Sequence, residues 1–178
     1  MTILNKNKIL IPKDIKIILE ENMITIFGPL GVLKQNINKN IKISIFNNVL
    51  MIMHKNEKDQ QKRYYSLTRS LLNNMIYGVL NKYSKTLTLV GTNFKILLLK
   101  NVLKLNLGYT HSINLVIPEH IFIKILPGNK IYVESCCKDS VGKFSALIRS
   151  KKKPEPYKGK GFFFEGETII KKVGKKKK

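Results

Sequence analysis

The sequence predicts an α+β protein with two tandem copies of a small domain, each an antiparallel sheet plus one helix, followed by a basic C-terminal extension. Three observations predict this class. A gap-free repeat aligns residues 24–70 with residues 104–150 at an offset of 80, with ten identical pairs in 47 positions. Within each copy, apolar residues alternate with period two and then follow a helical period. After Ser150 the repeat ends and the composition becomes strongly basic.

Alternating strands are predicted at equivalent places in the two copies. Isoleucines occupy every second position in two matching runs, at 41, 43 and 45 and at 121, 123 and 125. Upstream, the apolar positions 15, 17 and 19 are matched in phase by Lys95, Leu97 and Leu99. Turn signals follow at Asn47-Asn48 and at Pro127-Gly128, and each precedes another strand, over 49–54 and over 130–135.

One helix is predicted to follow the strands of each copy. Asp59 and Asp139 are placed to cap the two helix starts, because an aspartate oxygen accepts a free backbone N–H there. The apolar stripes of the two helices are Leu72, Met75, Ile76 and Val79 in the first and Val141, Phe144 and Ile148 in the second. We place the boundary near 81–84. The predicted domains are therefore 1–82 and 83–150, with residues 151–178 as a basic loop and tail.

The charge of the chain is its most unusual property. Lys and Arg number 33 against 11 Asp and Glu, a formal net charge of +22 in 178 residues. An excess of this size indicates a polyanionic partner, either nucleic acid or an anionic membrane surface. The chain is rich in Lys, Ile and Asn, and Ala146 is its only alanine. We interpret this bias as drift in an AT-rich genome, such as a reduced organelle genome.

Several function classes find no support in the sequence. His54, His111 and His120 are scattered, and no catalytic or metal-binding motif is present, so we expect no enzyme activity, no cofactor and no metal. Cys136 and Cys137 are adjacent, which suits neither a disulfide framework nor a zinc site and favours a reducing compartment. No apolar run approaches the roughly 18–20 residues that span a bilayer. The N-terminal residues resemble neither a signal nor a transit peptide, so we expect synthesis and function in one compartment, or a presequence already removed.

Residues 28–31, Gly-Pro-Leu-Gly, superficially resemble a G-x-x-G clamp for nucleic acid. They lie between two strand-like runs, where a tight turn is expected. We therefore favour a hairpin turn.

The segment KKKPEPYKGKG at 151–161 is the candidate RNA-binding site. Pro154 and Pro156 stiffen the chain and end the helix. Tyr157 offers a ring that stacks on a base, and glycines let main chain approach a phosphodiester closely. A solvated charged tail is the alternative interpretation, although such a tail does not need two prolines and two glycines so closely spaced. The candidate RNA-binding residues are Arg149, Lys151, Lys152, Lys153, Pro154, Tyr157, Lys158, Gly159, Lys160, Gly161, Lys171, Lys172 and Lys175.

The same segment carries a family resemblance. PEPYKGKG at 154–161, followed by IIKKVGKKKK, resembles the C-terminal signature of the universal large-subunit ribosomal protein six family, of bacterial or organellar type. The resemblance extends over residues 11–178 through further segments in the same order: N-x-I-T-I-x-G-P-x-G at 22–31, TRSLLNNMIYGV at 68–79, L-x-L-V-G at 87–91 and LGYTH at 107–111. The N-terminal MTILNKNK departs from the family pattern.

The resemblance implies a fold and a function. Members of that family contain two tandem α+β domains, which agrees with the repeat found independently. They are structural constituents that bind large-subunit ribosomal RNA near the stalk base, beside the sarcin–ricin loop, mainly through the C-terminal domain and this loop. By that resemblance we expect large-subunit ribosomal RNA and neighbouring ribosomal proteins as partners, and neither a membrane nor a small-molecule substrate.

Three further points remain expectations. A non-ribosomal RNA-binding module is the alternative function. We expect Arg149 to face RNA, whereas for Arg69 an RNA contact and a solvated position on the helix are equally open. The composition favours the ribosome of an organelle, with the mitochondrial matrix ahead of the plastid stroma and the cytoplasm of an AT-rich bacterium as the alternative.

Overall fold

The chain divides into two compact units in a computed structural model that describes residues 8–54 and 61–174. Of the described residues, the first unit comprises those up to Lys82 together with Cys136–Lys138, and the second comprises Tyr83–Ser135 and those from Asp139 to Gly174. Each unit contains two antiparallel sheets and a helix. The predicted α+β class with two repeated domains is therefore confirmed.

The first unit contains two three-stranded sheets, and its helix packs on three of their strands. Its elements are β1 (Lys8–Leu10), β2 (Lys16–Leu19), β3 (Met23–Gly28), β4 (Gly31–Asn36), β5 (Ile41–Phe46), β6 (Val49–His54) and α1 (Gln61–Asn81). The strand orders are β2-β3-β4 and β1-β6-β5. Ile24, Ile26, Leu50 and Ile52 are fully buried at the centre of the core, as expected for strands with one face covered.

The second unit repeats this plan and adds one strand. Its elements are β7 (Tyr83–Val90), β8 (Lys95–Leu99), β9 (Val102–Asn106), β10 (Ile113–Val116), β11 (Phe122–Leu126), β12 (Lys130–Ser135), α2 (Lys138–Lys151) and β13 (Gly161–Phe164). The strand orders are β10-β9-β8 and β11-β12-β7-β13. Thus Gly161–Phe164, which the sequence assigned to the tail, form a fourth strand of the second sheet, and Phe162 is fully buried in its core.

The offset between the two copies is not constant along the chain. Ile24 and Ile26 are buried in the first copy, and the buried residues at the equivalent places in the second copy are Leu103 and Leu105. The offset between these pairs is 79 rather than 80. In β8 the consequence is visible, because Ile96 is buried while Leu97 and Leu99, predicted to lie in phase with Ile17 and Leu19, are exposed. The gap-free alignment was therefore wrong by one residue in β9, and the match of Lys95, Leu97 and Leu99 upstream of it was wrong by the same amount.

Hairpin lengths account for a second shift. Asn47 and Asn48 form a two-residue turn, with φ angles of 46° and 59° that asparagine tolerates better than most residues. The equivalent turn in the second unit has three residues, 127–129, with Gly128 and Asn129 at positive φ. The additional residue moves the buried positions of β12 to an offset of 81 from those of β6.

Residues 28–31 form a hairpin, as predicted. Gly28 pairs with Gly31, and only Pro29 and Leu30 lie between the strands. A Cβ on Gly28 would lie 2.1 Å from Cγ1 of Val79 in α1, so the helix packs directly on this strand end. Packing inside the first unit therefore requires a glycine at position 28.

Both predicted helix stripes are found in the structure. Leu72, Met75, Ile76 and Val79 are buried on α1, and Val141, Phe144 and Ile148 are buried on α2. The predicted cap at Asp139 was wrong by two positions, because α2 begins at Lys138 and its cap position is therefore residue 137. Asp139 lies within the first turn, where a carboxylate still suits the helix dipole. Asp59 lies outside the described residues.

Candidate RNA interface

The loop at 152–160, here called the basic loop, connects the C-terminal end of α2 to β13. Hydrogen bonds close it at its base, where the Phe162 amide donates to the Lys152 carbonyl at 3.0 Å and the Glu155 amide donates to the Lys160 carbonyl at 2.9 Å. The Gly159 amide donates to the Glu155 carbonyl at 3.1 Å and forms a turn at the loop end. Because both ends are anchored and the interior is hydrogen-bonded, the loop has a defined shape before any ligand binds.

The two glycines at 159 and 161 are both buried. Gly159 has a φ of +69°, a conformation that other residues rarely adopt. A Cβ on Gly161, at φ +139°, would lie 2.7 Å from the Lys153 carbonyl oxygen and 2.9 Å from Cα of Pro154. The protein itself fills the space beside Gly161. An approach of RNA to the main chain at these glycines stays a prediction, and in the structure both glycines also allow the loop to fold.

The exposed side chains of the basic loop include two lysines and a tyrosine beside one carboxylate, that of Glu155. Lys153, Tyr157 and Lys158 are exposed, and the Tyr157 side chain has 56% of its surface accessible. Lys151, Lys152 and Lys160 are half-buried, and the Lys160 ammonium lies 3.3 Å from the Thr92 hydroxyl. The candidate lysines of this segment therefore fall into two groups, one directed to solvent and one packed against the second unit.

Lys152 is held by two aromatic rings. Its ammonium lies 4.3 Å from the centroid of the Tyr109 ring and 5.7 Å from that of Phe94, within the range of cation–π attraction. The Tyr109 hydroxyl donates to the Lys151 carbonyl at 3.1 Å, which ties the end of α2 to the loop after β9. No sequence spacing links residues 94, 109 and 152, so pattern analysis had no signal for this cluster.

Arg149, which we expected to face RNA, is engaged inside the second unit. Its guanidinium pairs with the Glu167 carboxylate and lies 5.3 Å from the centroid of the Phe164 ring. The second oxygen of Glu167 accepts a hydrogen bond from the Phe164 amide at 3.1 Å. The Arg149 side chain is 36% exposed and its Nε is buried without a hydrogen-bond partner among the described residues. Arg149 thus fixes β13 to α2.

Arg69 occupies a different setting in the first unit. It is half-buried on α1, and in the described part of the chain its buried Nε has no hydrogen-bond partner. Burial raises the pKa of the nearby Tyr65 hydroxyl, while the Arg69 charge acts in the opposite direction. Arg69 is therefore packed beside a tyrosine rather than fully solvated.

The chain after β13 returns along the basic loop. The Lys172 amide donates to the Pro156 carbonyl at 2.8 Å, and the side chains of Lys171 and Lys172 are exposed. Lys130 pairs with Glu165 at 3.4 Å on the surface. Lys171 and Lys172 extend the cationic surface of Lys153 and Lys158, whereas Lys175 lies outside the described residues.

Residues 8–54 and 61–174 carry no metal site or membrane-spanning helix. No group of three or more His, Cys, Asp or Glu side chains in these ranges is arranged to hold a metal ion. Neither Cys136 nor Cys137 is part of a disulfide bond. Over the same residues, no helix has the length and apolar character needed to cross a membrane.

Comparison with known proteins identifies the family. The profile described as Ribosomal protein L6 matches residues 11–82 and 90–165. The large ribosomal subunit protein uL6c of Phaeodactylum tricornutum is 36% identical over 178 residues, covering all of both chains. Proteins named uL6 are 38% identical in Alkaliphilus oremlandii, over 93% of each chain, and in Phytoplasma mali, over the whole of this chain and 99% of theirs. The two repeated units, the closed basic loop and these matches lead to one conclusion: the chain belongs to the ribosomal protein L6 family.

Proposed function

We propose that this chain is a structural constituent of the large ribosomal subunit and that it binds large-subunit ribosomal RNA through the basic loop. The observation that carries the proposal is the cationic surface of Lys153, Lys158, Lys171 and Lys172 around the exposed ring of Tyr157. Lysines neutralise phosphates, and an exposed ring stacks on an unpaired base. Membership of the ribosomal protein L6 family supports a place for the chain in the large ribosomal subunit. The prediction that the chain is not an enzyme agrees with a structural role.

The half-buried candidates have a supporting role in this proposal. Lys151, Lys152 and Lys160 place positive charge behind the exposed surface while they pack against the second unit. Pro154, Gly159 and Gly161 give the loop its shape. Arg149 stays a predicted RNA contact, and its ion pair with Glu167 also fixes the strand after the loop. Lys175 stays a predicted contact.

A second part of the proposal concerns the place on the large subunit at which the basic loop binds. We assign the basic loop to RNA near the stalk base and the sarcin–ricin loop, with ribosomal proteins as neighbours. Hydroxyl-radical cleavage from an iron chelate tethered at a cysteine introduced for Glu155, which is exposed in the loop, tests the assignment. Cysteine-free protein (Cys136→Ser, Cys137→Ser) is the background. Cleavage concentrated at the sarcin–ricin loop and its neighbours supports the site, and cleavage confined elsewhere on the subunit contradicts it.

Co-sedimentation tests the ribosomal assignment itself. Tagged full-length protein, expressed in its own cells, should sediment with large subunits on a sucrose gradient and stay there in moderate salt. The alternative, a non-ribosomal RNA-binding module, predicts sedimentation that RNase treatment abolishes but that does not coincide with large subunits.

The compartment is proposed from composition. The Lys-, Ile- and Asn-rich sequence favours an organelle-encoded protein of the mitochondrial matrix over one of the plastid stroma, with the cytoplasm of an AT-rich bacterium as the alternative. The relatives named uL6 and uL6c agree with a bacterial or organellar type of ribosome. Cell fractionation followed by immunoblotting against purified mitochondria and plastids distinguishes the three compartments.

A further inference from the structure

A cavity of about 470 Å³ lies beside the basic loop in the second unit. Its walls come from the last turns of α2, from the start of the loop and from the end of β13: Ala146, Arg149, Ser150, Lys153, Pro154 and Phe164. It is open to solvent, and every residue that lines it belongs to the unit that carries the loop. A nucleobase would fit in this volume with room to spare.

The walls of the cavity combine apolar surface with positive charge. Ala146, Pro154 and Phe164 offer apolar contacts, and Lys153 is an exposed cation that belongs to both the cavity and the basic loop. None of the six lining residues is acidic, and the carboxylate of Glu167 is already paired with Arg149. An anionic ligand with a flat apolar part matches these walls better than a cation or a purely aliphatic group.

The cavity walls are also held in place. The centroid of the Phe164 ring is 5.3 Å from the Arg149 guanidinium and 5.1 Å from the Lys85 ammonium, within the range of cation–π attraction. Glu167 binds both the Arg149 side chain and the Phe164 amide. Because the ring and the guanidinium are fixed before binding, a ligand does not have to order them.

We propose that this cavity receives one unpaired nucleobase of the bound RNA, with an adjoining phosphate on Lys153. The inference rests on the proposed RNA-binding function and deepens it. Sequence-specific recognition of RNA depends on bases that are turned out of the helix and held against aromatic or guanidinium surfaces, and Phe164 and Arg149 supply both. The lysines of the basic loop therefore contact the backbone, while the cavity, in addition to the Tyr157 ring, distinguishes a site with an extruded base from continuous duplex.

The test fills the cavity without changing any charge. Ala146 is exposed on α2 and lines the cavity, so Ala146→Leu adds bulk there at a position that tolerates leucine in a helix. Ser70→Leu is the matched control, because Ser70 is an exposed small residue on α1 in the other unit. Binding is measured with full-length protein and large-subunit rRNA of Phytoplasma mali transcribed in vitro, at several salt concentrations, together with chemical probing of base reactivity.

We expect Ala146→Leu to lower RNA affinity by about 5- to 150-fold, the range that corresponds to the loss of one stacked base. The dependence of affinity on salt should not change, because no phosphate contact is lost. One unpaired nucleotide that wild-type protein shields from base-specific reagents should become reactive. Ser70→Leu should match wild-type protein in all three measurements.

A second variant distinguishes the loss of a base contact from misfolding of the second unit. Phe164→Leu keeps apolar bulk and removes the ring, and it should lower affinity and expose the same nucleotide while thermal unfolding shows that the second unit remains folded. If Ala146→Leu binds as well as the control, or if no single nucleotide becomes reactive, the cavity does not hold a base. Normal RNA binding by Ala146→Leu combined with poor incorporation into large subunits would assign the cavity to a neighbouring protein and overturn the inference.

The failure of this inference is distinguishable from failure of the proposed function. If wild-type protein does not bind the rRNA, the proposed function fails. If wild-type protein binds the rRNA and substitutions of exposed loop lysines weaken binding, but the cavity variants leave the affinity unchanged, only the inference that the cavity holds a base is wrong. Tight, saturable binding of free AMP at micromolar concentration that RNA does not displace would reassign the cavity to free nucleotides.

Discussion

The two units differ most at one sheet edge. β1 and β7 occupy corresponding positions, since each is joined to the neighbouring hairpin by an equivalent bond, from the Ile11 amide to the Asn48 carbonyl at 2.8 Å and from the Leu89 amide to the Asn129 carbonyl at 3.0 Å. β7 pairs with β12 on one side and β13 on the other, whereas β1 pairs only with β6 among the described strands. The added strand requires a longer connection after the helix. A single residue, Lys82, separates α1 from β7, but the chain after α2 must travel to the far edge of the sheet, and the basic loop is that connection.

This difference teaches how one copy of a duplicated scaffold can gain a loop that the other copy lacks. Both units bury similar apolar cores, so neither core accounts for the RNA binding that we propose for the second unit. The second unit anchors α2 and β13 independently, and a loop between two fixed ends keeps its shape without ligand. The first unit has no equivalent loop between its helix and the next strand. If β13 is the structural basis of the difference, substitutions that weaken the packing of β13 should lower the stability of the protein more than matched substitutions elsewhere.

The largest expected effect comes from removing the buried ring of β13. Phe162 is fully buried, so Phe162→Ala should lower the free energy of unfolding by about 3–5 kcal/mol. Leu10→Ala on β1 is the matched control, because Leu10 is 77% exposed and should change stability by less than about 0.5 kcal/mol. Urea unfolding followed by circular dichroism measures both. Equal effects of the two substitutions would show that β13 is not part of the core.

A smaller effect is expected where the loop joins β13. Gly161→Ala places a methyl group 2.7 Å from the Lys153 carbonyl oxygen at a φ of +139°, so we expect a loss of about 1–3 kcal/mol. Gly166→Ala is the control, since Gly166 also has a positive φ, +84°, but no atom within 4 Å of the added carbon. Thermal unfolding should show a clearly lower midpoint for Gly161→Ala than for Gly166→Ala. Identical midpoints would mean that backbone conformation alone, and not packing, requires Gly161.

The smallest effect concerns the ion pair that fixes β13 to α2. Glu167→Gln keeps the shape of the side chain and removes its charge, so we expect a loss of about 0.5–1 kcal/mol, because both partners are partly exposed to solvent. Glu165→Gln, which breaks the more exposed pair with Lys130, should cost less. Chemical unfolding of the two variants in parallel gives the comparison. A larger loss for Glu165→Gln would contradict the assigned role of Glu167.

Much of this architecture could be predicted from the sequence, because strand alternation and helix spacing are local. The isoleucine runs, the hairpin at 28–31 and both helix stripes lie where the patterns predict them. β13 could not be predicted in this way, because Phe162 and Phe163 are both buried and the run of three phenylalanines shows no alternation. The offset changes by single residues at hairpins, and an ungapped alignment cannot represent that.

The residues that contact RNA stay a prediction. The sequence indicated that the chain leaves the helix in a segment framed by proline and glycine at 151–161, and in the structure Tyr157 and Lys158 of that segment are exposed. The roles of Arg149 and Gly161 depend on partners distant in the chain or on close packing, Glu167 in one case and the Lys153 carbonyl in the other, and sequence spacing does not report such contacts. Tyr109 and Phe94 were missed for the same reason.

The salt dependence of RNA binding tests the central claim, that binding is concentrated in the basic loop and the adjoining tail. Lys153, Lys158 and Lys172 are exposed, and their combined replacement by Gln removes three charges. Lys34, Lys39 and Lys42 are also exposed, in the first unit, and give a control with the same change in net charge. We predict that the slope of log K against log salt falls by about 2–3 units in the loop variant and by less than about one unit in the control. Equal losses of slope in the two variants would contradict the account, because they would mean that the total charge, rather than the basic loop, binds the RNA.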